Sequence, residues 1–467
     1  MSKAQFGMIG LGTMGRNFLL NVGEQGFSGL GYDRDAEKVR LLADERAGSE
    51  TAGVATLPEF MAGLDLPRKI MLLVPAGPIV DAVIEELLPH LQNGDLVIDG
   101  GNSHFSDTER RETYLSGKGI SFLGVGVSGG EEGARHGASI MVGGGQPAYE
   151  NVREIFEAAS AKVLGEPCAA HVGNGSAGHF VKMVHNGIEY GMMQLIAETY
   201  DYMKRVLEMN AGEIGEVFAK WNSGALSSFL VEITATVLAK KDTETNEALA
   251  DRLLDTAGQK GTGKWTSQAA MDLGVPIPTI DAAVSMRQIS ARKALREQLA
   301  ANSPGDSTSG EKLSIADLES ALRCSFLITY AQGLSLLQNA STEKGYDLDL
   351  AEIAKIWRGG CIIRSAMLED IRAAFADDSK LESLFLDGRF GSQVGESIGS
   401  LRKVTGSFLD NGIPAACLAA SLNYYDALHA ERLPANLIQA QRDYFGAHTY
   451  QRTDKEGIFH TPDWETA

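Results

Sequence analysis

Four polar residues at helical spacing in a largely apolar stretch carry the chemistry open to this sequence. Lys182, His185, Asn186 and Glu189 lie within Gly178–Ile196. The spacing predicts a helix on which they fall at i, i+3, i+4 and i+7 and share one stripe. Phe180, Val181, Met183, Val184 and Ile188 cover the remaining faces and are expected to pack into protein. Polar groups on a buried helix are costly unless something polar sits against them. One account is a structural salt bridge between Lys182 and Glu189, but their separation is too great for a direct helical pair. The other is a base and an acid held two turns apart, on either side of a small substrate.

The elements that position this stripe follow from the rest of the chain. Its 467 residues exceed a single core and suggest two or three domains. A hydrophobic content of 44% is that of a soluble globular protein. No apolar run approaches the ~18 residues of a membrane span, and the start Met-Ser-Lys-Ala-Gln-Phe lacks a signal peptide's apolar region. Cys168, Cys324, Cys361 and Cys417 have neither metal-ligand nor disulfide spacing, as expected of free thiols in a cytoplasmic protein. A net charge of −19 argues against nucleic acid and anionic membrane. An anionic substrate then requires a local basic cluster.

The N-terminal stretch reads as a nucleotide-binding βαβ unit. An apolar strand, Gln5–Ile9, runs into Gly10-Leu-Gly12-Thr-Met-Gly15, and a helix follows over Arg16–Gly23. The glycines permit a tight turn, close approach of a pyrophosphate, and close helix packing, with the helix N-terminus facing the phosphates. Gly29–Asp33 is a second strand, whose Asp33 lies where a ribose contact belongs. Strand, helix and strand continue over Ile70–Val74, Ile79–His90 and Asp95–Asp99. The alternation predicts a Rossmann-type, doubly wound α/β domain with the site on loops at the carboxyl ends of its strands. Two such loops are Asp99–Ser103, with Asn102, and Gly126–Gly137, with Ser128, Gly129 and Gly130.

After about Gly175 helical patterns take over. Glu216–Gly224 echoes Glu352–Gly360, matching Trp221 to Trp357, and each follows a long helical segment. A duplicated helical unit is expected, with a polar loop, Ser303–Gly310, between the copies. The expected division is a dinucleotide-binding domain over 1–176, an all-α substrate and dimerisation domain over 177–435, and a C-terminal tail over 436–467. The tail segment Gln441–Tyr450 is apolar enough to dock on something.

These motifs, in this order and over essentially the whole chain, resemble the 6-phosphogluconate dehydrogenase family in its long dimeric form. The most specific block is Leu253–Trp265. The Gly126–Arg135 block, the Lys182 helix, Trp357–Arg364 and the Gln441–Tyr450 tail agree with it. The resemblance implies oxidative decarboxylation of 6-phospho-D-gluconate to D-ribulose 5-phosphate and carbon dioxide, a step of the pentose phosphate pathway. It implies that Lys182 takes the C3 hydroxyl proton and, once protonated, polarises the new ketone, and that Glu189 protonates C1 of the enediol. Asn102, Ser128, Gly129, Gly130, His185 and Asn186 would hold the carboxylate and hydroxyls. Tyr190, Lys260, Thr262 and Arg287 would hold the phosphate, with Arg442 and His448 arriving from the partner subunit of a homodimer. The cofactor would lie on Gly10, Gly12, Thr13, Met14, Gly15, Asp33, Arg34, Val74, Ala76 and Asn102.

Chemistry agrees with these roles. A β-keto acid loses carbon dioxide readily once its carbonyl is polarised, so no metal is needed. A lysine suits both steps if burial lowers its pKa from about 10.4. Two departures from the family bear on the cofactor. Pro75 stands after the third predicted strand, where the family commonly has lysine, and the second strand ends in Asp33-Arg34 rather than Asn-Arg. A carboxylate at Asp33 leans toward NAD over the family's usual NADP. Two other readings are a β-hydroxyacid dehydrogenase for a smaller substrate and a dinucleotide-sensing protein without catalysis. The duplicated helical region and tail argue against the first, and the intact Lys182–Glu189 pair against the second.

Overall fold

The computed structural model describes residues 3–46, 48–302 and 312–466, so the loop expected at Ser303–Gly310 lies outside the described residues. The chain forms two compact units, Met1–Ser421 and Leu422–Ala467.

The strands are β1 (Phe6–Ile9), β2 (Gly29–Tyr32), β3 (Thr51–Val54), β4 (Lys69–Leu72), β5 (Leu96–Asp99), β6 (Ser121–Ser128), β7 (Ser139–Gly144), a short hairpin of β8 (Lys162–Val163) and β9 (Glu166–Pro167), and β10 (Ala169–Gly173). The main sheet has the order β10-β7-β6-β5-β4-β1-β2-β3. β1 and β5 are wholly buried, as strands covered on both faces require. Strand order reverses between β1 and β4, which opens the crevice where ligands bind in such sheets. The interleaved helices are α1 (Thr13–Glu24), α2 (Ala36–Glu45), α3 (Leu57–Ala62), α4 (Pro78–Leu87), α5 (Phe105–Ser116), α6 (Gly130–His136), α7 (Gln146–Glu150) and α8 (Arg153–Ala159).

Three details differ from the sequence reading. β3 was not anticipated, because Thr51-Ala-Gly-Val is short, edge-placed and half-exposed; Pro75 therefore follows the fourth strand. The sheet is not wholly parallel, since β7 runs antiparallel to β6. The expected loop Gly126–Gly137 is instead the end of β6 followed by α6. Gly126, Gly129 and Gly137 in it allow close packing, whereas Gly130 borders open space.

The helical part contains α9 (Ala177–Arg205), α10 (Ala211–Asn222), α11 (Phe229–Ala239), α12 (Thr262–Asp272), α13 (Pro278–Ser290), α14 (Lys293–Ala300), α15 (Ile315–Lys344), α16 (Leu350–Trp357), α17 (Met367–Asp377), α18 (Gly388–Asp410), α19 (Ala416–Leu428) and α20 (Ala435–Gly446). The internal echo is visible in it. Long α9 leads to α10 and buried Trp221; long α15 leads to α16 and buried Trp357. The segments after the two tryptophans pair with each other: Phe229 N donates to Arg364 O at 3.0 Å and Ala366 N to Ser227 O at 2.9 Å. The spacing that carries Trp221 onto Trp357 carries the Lys182 stripe onto Leu318, Ala321, Leu322 and Ser325, all buried in α15.

α9 lies directly against the sheet because small residues let it. A Cβ on Gly178 would overlap the Gly124 carbonyl and the Gly143 amide, and a Cβ on Gly126 would overlap the Lys182 side chain. This close approach buries the lysine. None of the helices is long and apolar enough to cross a membrane, among the described residues.

Candidate active site

Phe180, Val181, Met183, Val184 and Ile188 are all buried, which leaves the polar stripe of α9 facing the end of β6. Lys182 is 7% exposed, and its Nζ lies 3.4 Å from His185 Nδ1. Burial lowers its pKa to about 8, against the opposing pull of Glu189. Burial also pushes the Glu189 carboxyl up, while Lys182 and Arg287 partly hold it down. Burial thus opposes the charged form of both groups, while each partly favours the charge of the other. His185 is fully buried. Desolvation and neighbouring Lys182 hold its pKa far below normal, so it stays neutral. Its Nδ1 is 3.0 Å from Asn186 Oδ1, its Nε2 is 3.3 Å from Ser128 Oγ, and its ring meets Trp357 edge-on at 5.7 Å.

Ser128, Gly129 and Gly130 join β6 to α6. Gly129 has φ +120° and no room for a side chain beneath the Gly360 carbonyl, so the second repeat braces this turn. Asn102 sits on the loop after β5. That loop is tied by Asp99, which accepts from Gly101 N at 3.1 Å and from Ser103 Oγ at 2.6 Å. Arg111, 1% exposed, holds Asp99 at 3.2 Å, Asp81 at 2.8 Å and the Gly77 carbonyl at 2.9 Å, and so fixes the loops after β4 and β5 together.

A cleft of about 1230 Å³ takes in Asn102, Asn186 and Glu189, whereas Lys182, His185, Ser128, Gly129 and Gly130 are not among the residues that line it. Gly12, Thr13, Met14, Gly15, Val74, Ala76 and Asn102 line one side, and Asn186, Glu189, Tyr190, Lys260, Thr262 and Arg287 line the other. The first side suits a dinucleotide. α1 starts at Gly12 with no side-chain cap, and nothing lies within 4 Å of the Cβ that Gly12 lacks. Its free N–H groups therefore face open space, as an anion requires. Gly10 has φ +96°, and a Cβ on Gly15 would overlap the Gly10 carbonyl. The opposite side suits a second anion. α12 also starts uncapped, at Gly261, between Lys260 and Thr262. The Arg287 guanidinium lies 4.7 Å from the centre of the Tyr190 ring, and its Nη1 donates to Gly258 O at 2.9 Å. This is the basic cluster that an acidic chain needs.

A second cavity of about 320 Å³ continues past Gly10 and Gly12 to Asp33 and Arg34. Asp33 Oδ2 accepts from Leu11 N at 2.8 Å and lies 3.4 Å from Lys38 Nζ, so part of this carboxylate fastens the glycine turn. Arg34 pairs with Glu86 of α4. Arg442 and His448 belong to the second compact unit. There Arg442 Nη1 donates to Gln439 Oε1 at 3.0 Å, and the His448 ring meets Phe445.

Sequence reasoning missed Arg111, Glu86 and the cleft-lining Trp265, Gln259 and Met193. Arg111 had a signal: Thr108, Arg111 and Leu115 share the buried face of α5. Trp265 and Gln259 stood inside the quoted Leu253–Trp265 block without a role. Glu86 had no signal, because its partner lies across the cavity in another element.

A Bacillus subtilis protein named "6-phosphogluconate dehydrogenase, NADP(+)-dependent, decarboxylating" is 50% identical to this chain over 468 residues, covering 99% of this chain and 100% of its own length. The mouse protein named "6-phosphogluconate dehydrogenase, decarboxylating" is 47% identical, covering 99% and 97%. The solved Plasmodium falciparum 6-phosphogluconate dehydrogenase, described in apo form and in complex with NADP+ and with 6-phosphogluconate, superposes with a TM-score of 0.95 at 46% identity, covering 98% of this chain and 100% of that one. What the fold and the cleft define is an oxidoreductase that works with a nicotinamide dinucleotide. The family models for the "NAD binding domain of 6-phosphogluconate dehydrogenase" and "6-phosphogluconate dehydrogenase, C-terminal domain" match residues 5–173 and 178–464. The chain belongs to the decarboxylating 6-phosphogluconate dehydrogenase family.

Proposed function

We propose that the chain oxidises and decarboxylates 6-phospho-D-gluconate to D-ribulose 5-phosphate and carbon dioxide, with Lys182 and Glu189 as its proton-transfer groups. The observation that carries this reading is the desolvated lysine with a pKa of about 8, two helical turns from a carboxyl pushed upward. Neutral Lys182 accepts the C3 hydroxyl proton. The bound dinucleotide supplies the acceptor for the C3 hydride. Protonated Lys182 then hydrogen-bonds the C3 ketone oxygen, and the electron pair of the breaking carbon–carboxylate bond flows toward that oxygen as carbon dioxide leaves. Glu189 delivers a proton to the carbon that bore the carboxylate, and Lys182 takes back the enol proton. Asn102, Ser128, Gly129, Gly130, His185 and Asn186 orient carboxylate and hydroxyls. Tyr190, Lys260, Thr262 and Arg287 hold the phosphate, with His448 and Arg442 contributed by the tail of a partner subunit. The functional division is 1–176, 177–435 and 436–467. Four buried free thiols suit a reducing, cytoplasmic setting.

Gly10, Gly12, Thr13, Met14, Gly15, Val74, Ala76 and Asn102 hold the dinucleotide, and Asp33 and Arg34 meet its adenosine ribose. The choice falls on NAD. A carboxylate at Asp33 accepts from ribose hydroxyls but repels a 2′-phosphate by roughly 1 to 4 kcal/mol at ~4 Å. Steady-state kinetics with 6-phosphogluconate and each cofactor, in wild type and Asp33→Asn, test both statements. Activity with preference for NAD, shifting toward NADP in the variant, is the expected result. Absence of turnover with either cofactor removes the reaction. A wild-type preference for NADP above about tenfold removes the reading of Asp33.

A further inference from the structure

The ribose end of the second cavity brings together two carboxylates and two cations, Asp33, Glu86, Arg34 and Lys38. They are already matched in pairs: Lys38 lies 3.4 Å from Asp33, and Arg34 is bonded to Glu86. Arg34 comes from the turn after β2, whereas Glu86 comes from the last turn of α4, on the opposite wall. Their bond therefore links two separate elements that line the cavity. The Glu86 carboxylate is also the chief reason that Arg34 is held even more firmly in its charged form than usual. An arginine reads a phosphate with a planar fork of N–H groups, and Arg34 commits the Nη2 of that fork to the Glu86 carboxylate.

We propose that Glu86 is a positioning residue for cofactor choice, which holds Arg34 across the cavity and thereby withdraws it from a 2′-phosphate. This rests on the reading that the adenosine ribose lies beside Asp33 and Arg34. NADP has to displace Glu86 from Arg34 before that guanidinium can serve it, and meets the displaced carboxylate nearby. NAD places no phosphate there and leaves the pair intact. The discrimination thus has two parts: Asp33 acts directly at the ribose, and Glu86 acts through Arg34.

The test compares NADP with NAD, and 2′,5′-ADP with 5′-ADP, in wild type, Glu86→Gln, Arg34→Ala, the double variant and Asp33→Asn. Glu86→Gln is expected to raise the NADP/NAD ratio of kcat/KM about tenfold, equivalent to about 1.4 kcal/mol. The change should fall in KM for NADP rather than in kcat, and 2′,5′-ADP should bind tighter by a similar factor while 5′-ADP does not. In the Arg34→Ala background the gain should vanish. A gain that survives there overturns the route through Arg34. An unchanged ratio in Glu86→Gln, with a shifted ratio in Asp33→Asn, overturns the role of Glu86 alone. An unchanged ratio in both variants overturns the placement of the ribose as well.

Discussion

At the scale of single residues, the cost of burying Lys182 can be measured apart from catalysis. Its pKa falls from 10.5 to about 8 on folding, which corresponds to a penalty on the order of 3 kcal/mol at neutral pH. Between those two values the unfolded chain binds more protons than the folded one, so stability rises with pH across that window and carries the full penalty below it. Lys182→Met keeps an apolar stem in the same space and removes the charge. The variant is expected to lose turnover by at least ~10²-fold, as for a lost general base, yet to be more stable than wild type at pH 7. Its denaturation midpoint should also lack the rise between about pH 8 and 10.5. Chemical denaturation at a series of pH values checks this, and a less stable variant with an unaltered pH slope would refute it. In the wild type the same group should set the acid limb of kcat/KM, with activity climbing toward about pH 8 as Lys182 loses its proton. This stripe was legible because four polar residues at helical spacing interrupt an apolar helix. Arg34 was legible at the end of the second strand, but its pairing with Glu86 was not, since nothing in either local sequence announces a partner in another element.

At the scale of elements, the site depends on how closely α9 meets the sheet and on how firmly two loops are tied. The glycine turn and the first strands could be read from sequence because their signals are local. The direction of β7 and the short edge strand β3 could not, because strand direction is set by tertiary pairing and Thr51–Val54 has too little apolar surface to stand out. Arg111 belongs to the same class, since its partners Gly77, Asp81 and Asp99 come from other elements. Removing it strands the fully buried Asp99 carboxylate. Arg111→Leu is therefore expected to destabilise the protein by about 3–5 kcal/mol, the usual cost of breaking a buried pair. The loop carrying Asn102 should loosen with it. KM for 6-phosphogluconate should rise, while the acid limb stays near pH 8 because Lys182 keeps its surroundings. Thermal melts and a pH profile decide this, and a displaced limb would tie Arg111 to the lysine itself.

At the scale of the whole molecule, the tail unit carries exposed Leu437, Ile438, Tyr444 and Phe445 beside Arg442. The homodimer proposed above, with tails that complete each other's phosphate sites, would cover that surface. Mixing Lys182→Ala subunits with Arg442→Ala subunits should restore activity in the heterodimer, where one of the two sites regains both groups. Purified heterodimers as inactive as the parents would argue for self-contained sites. The paired helical repeats bear on a different quantity. The positions in α15 that echo Lys182, His185, Asn186 and Glu189 are Leu318, Ala321, Leu322 and Ser325, all in the core. The second repeat thus places apolar or small residues at these positions, and it lends Trp357 to the His185 ring and Gly360 to the Gly129 turn. Titration with a tight phosphorylated inhibitor should accordingly saturate at one equivalent per chain, although the architecture is doubled.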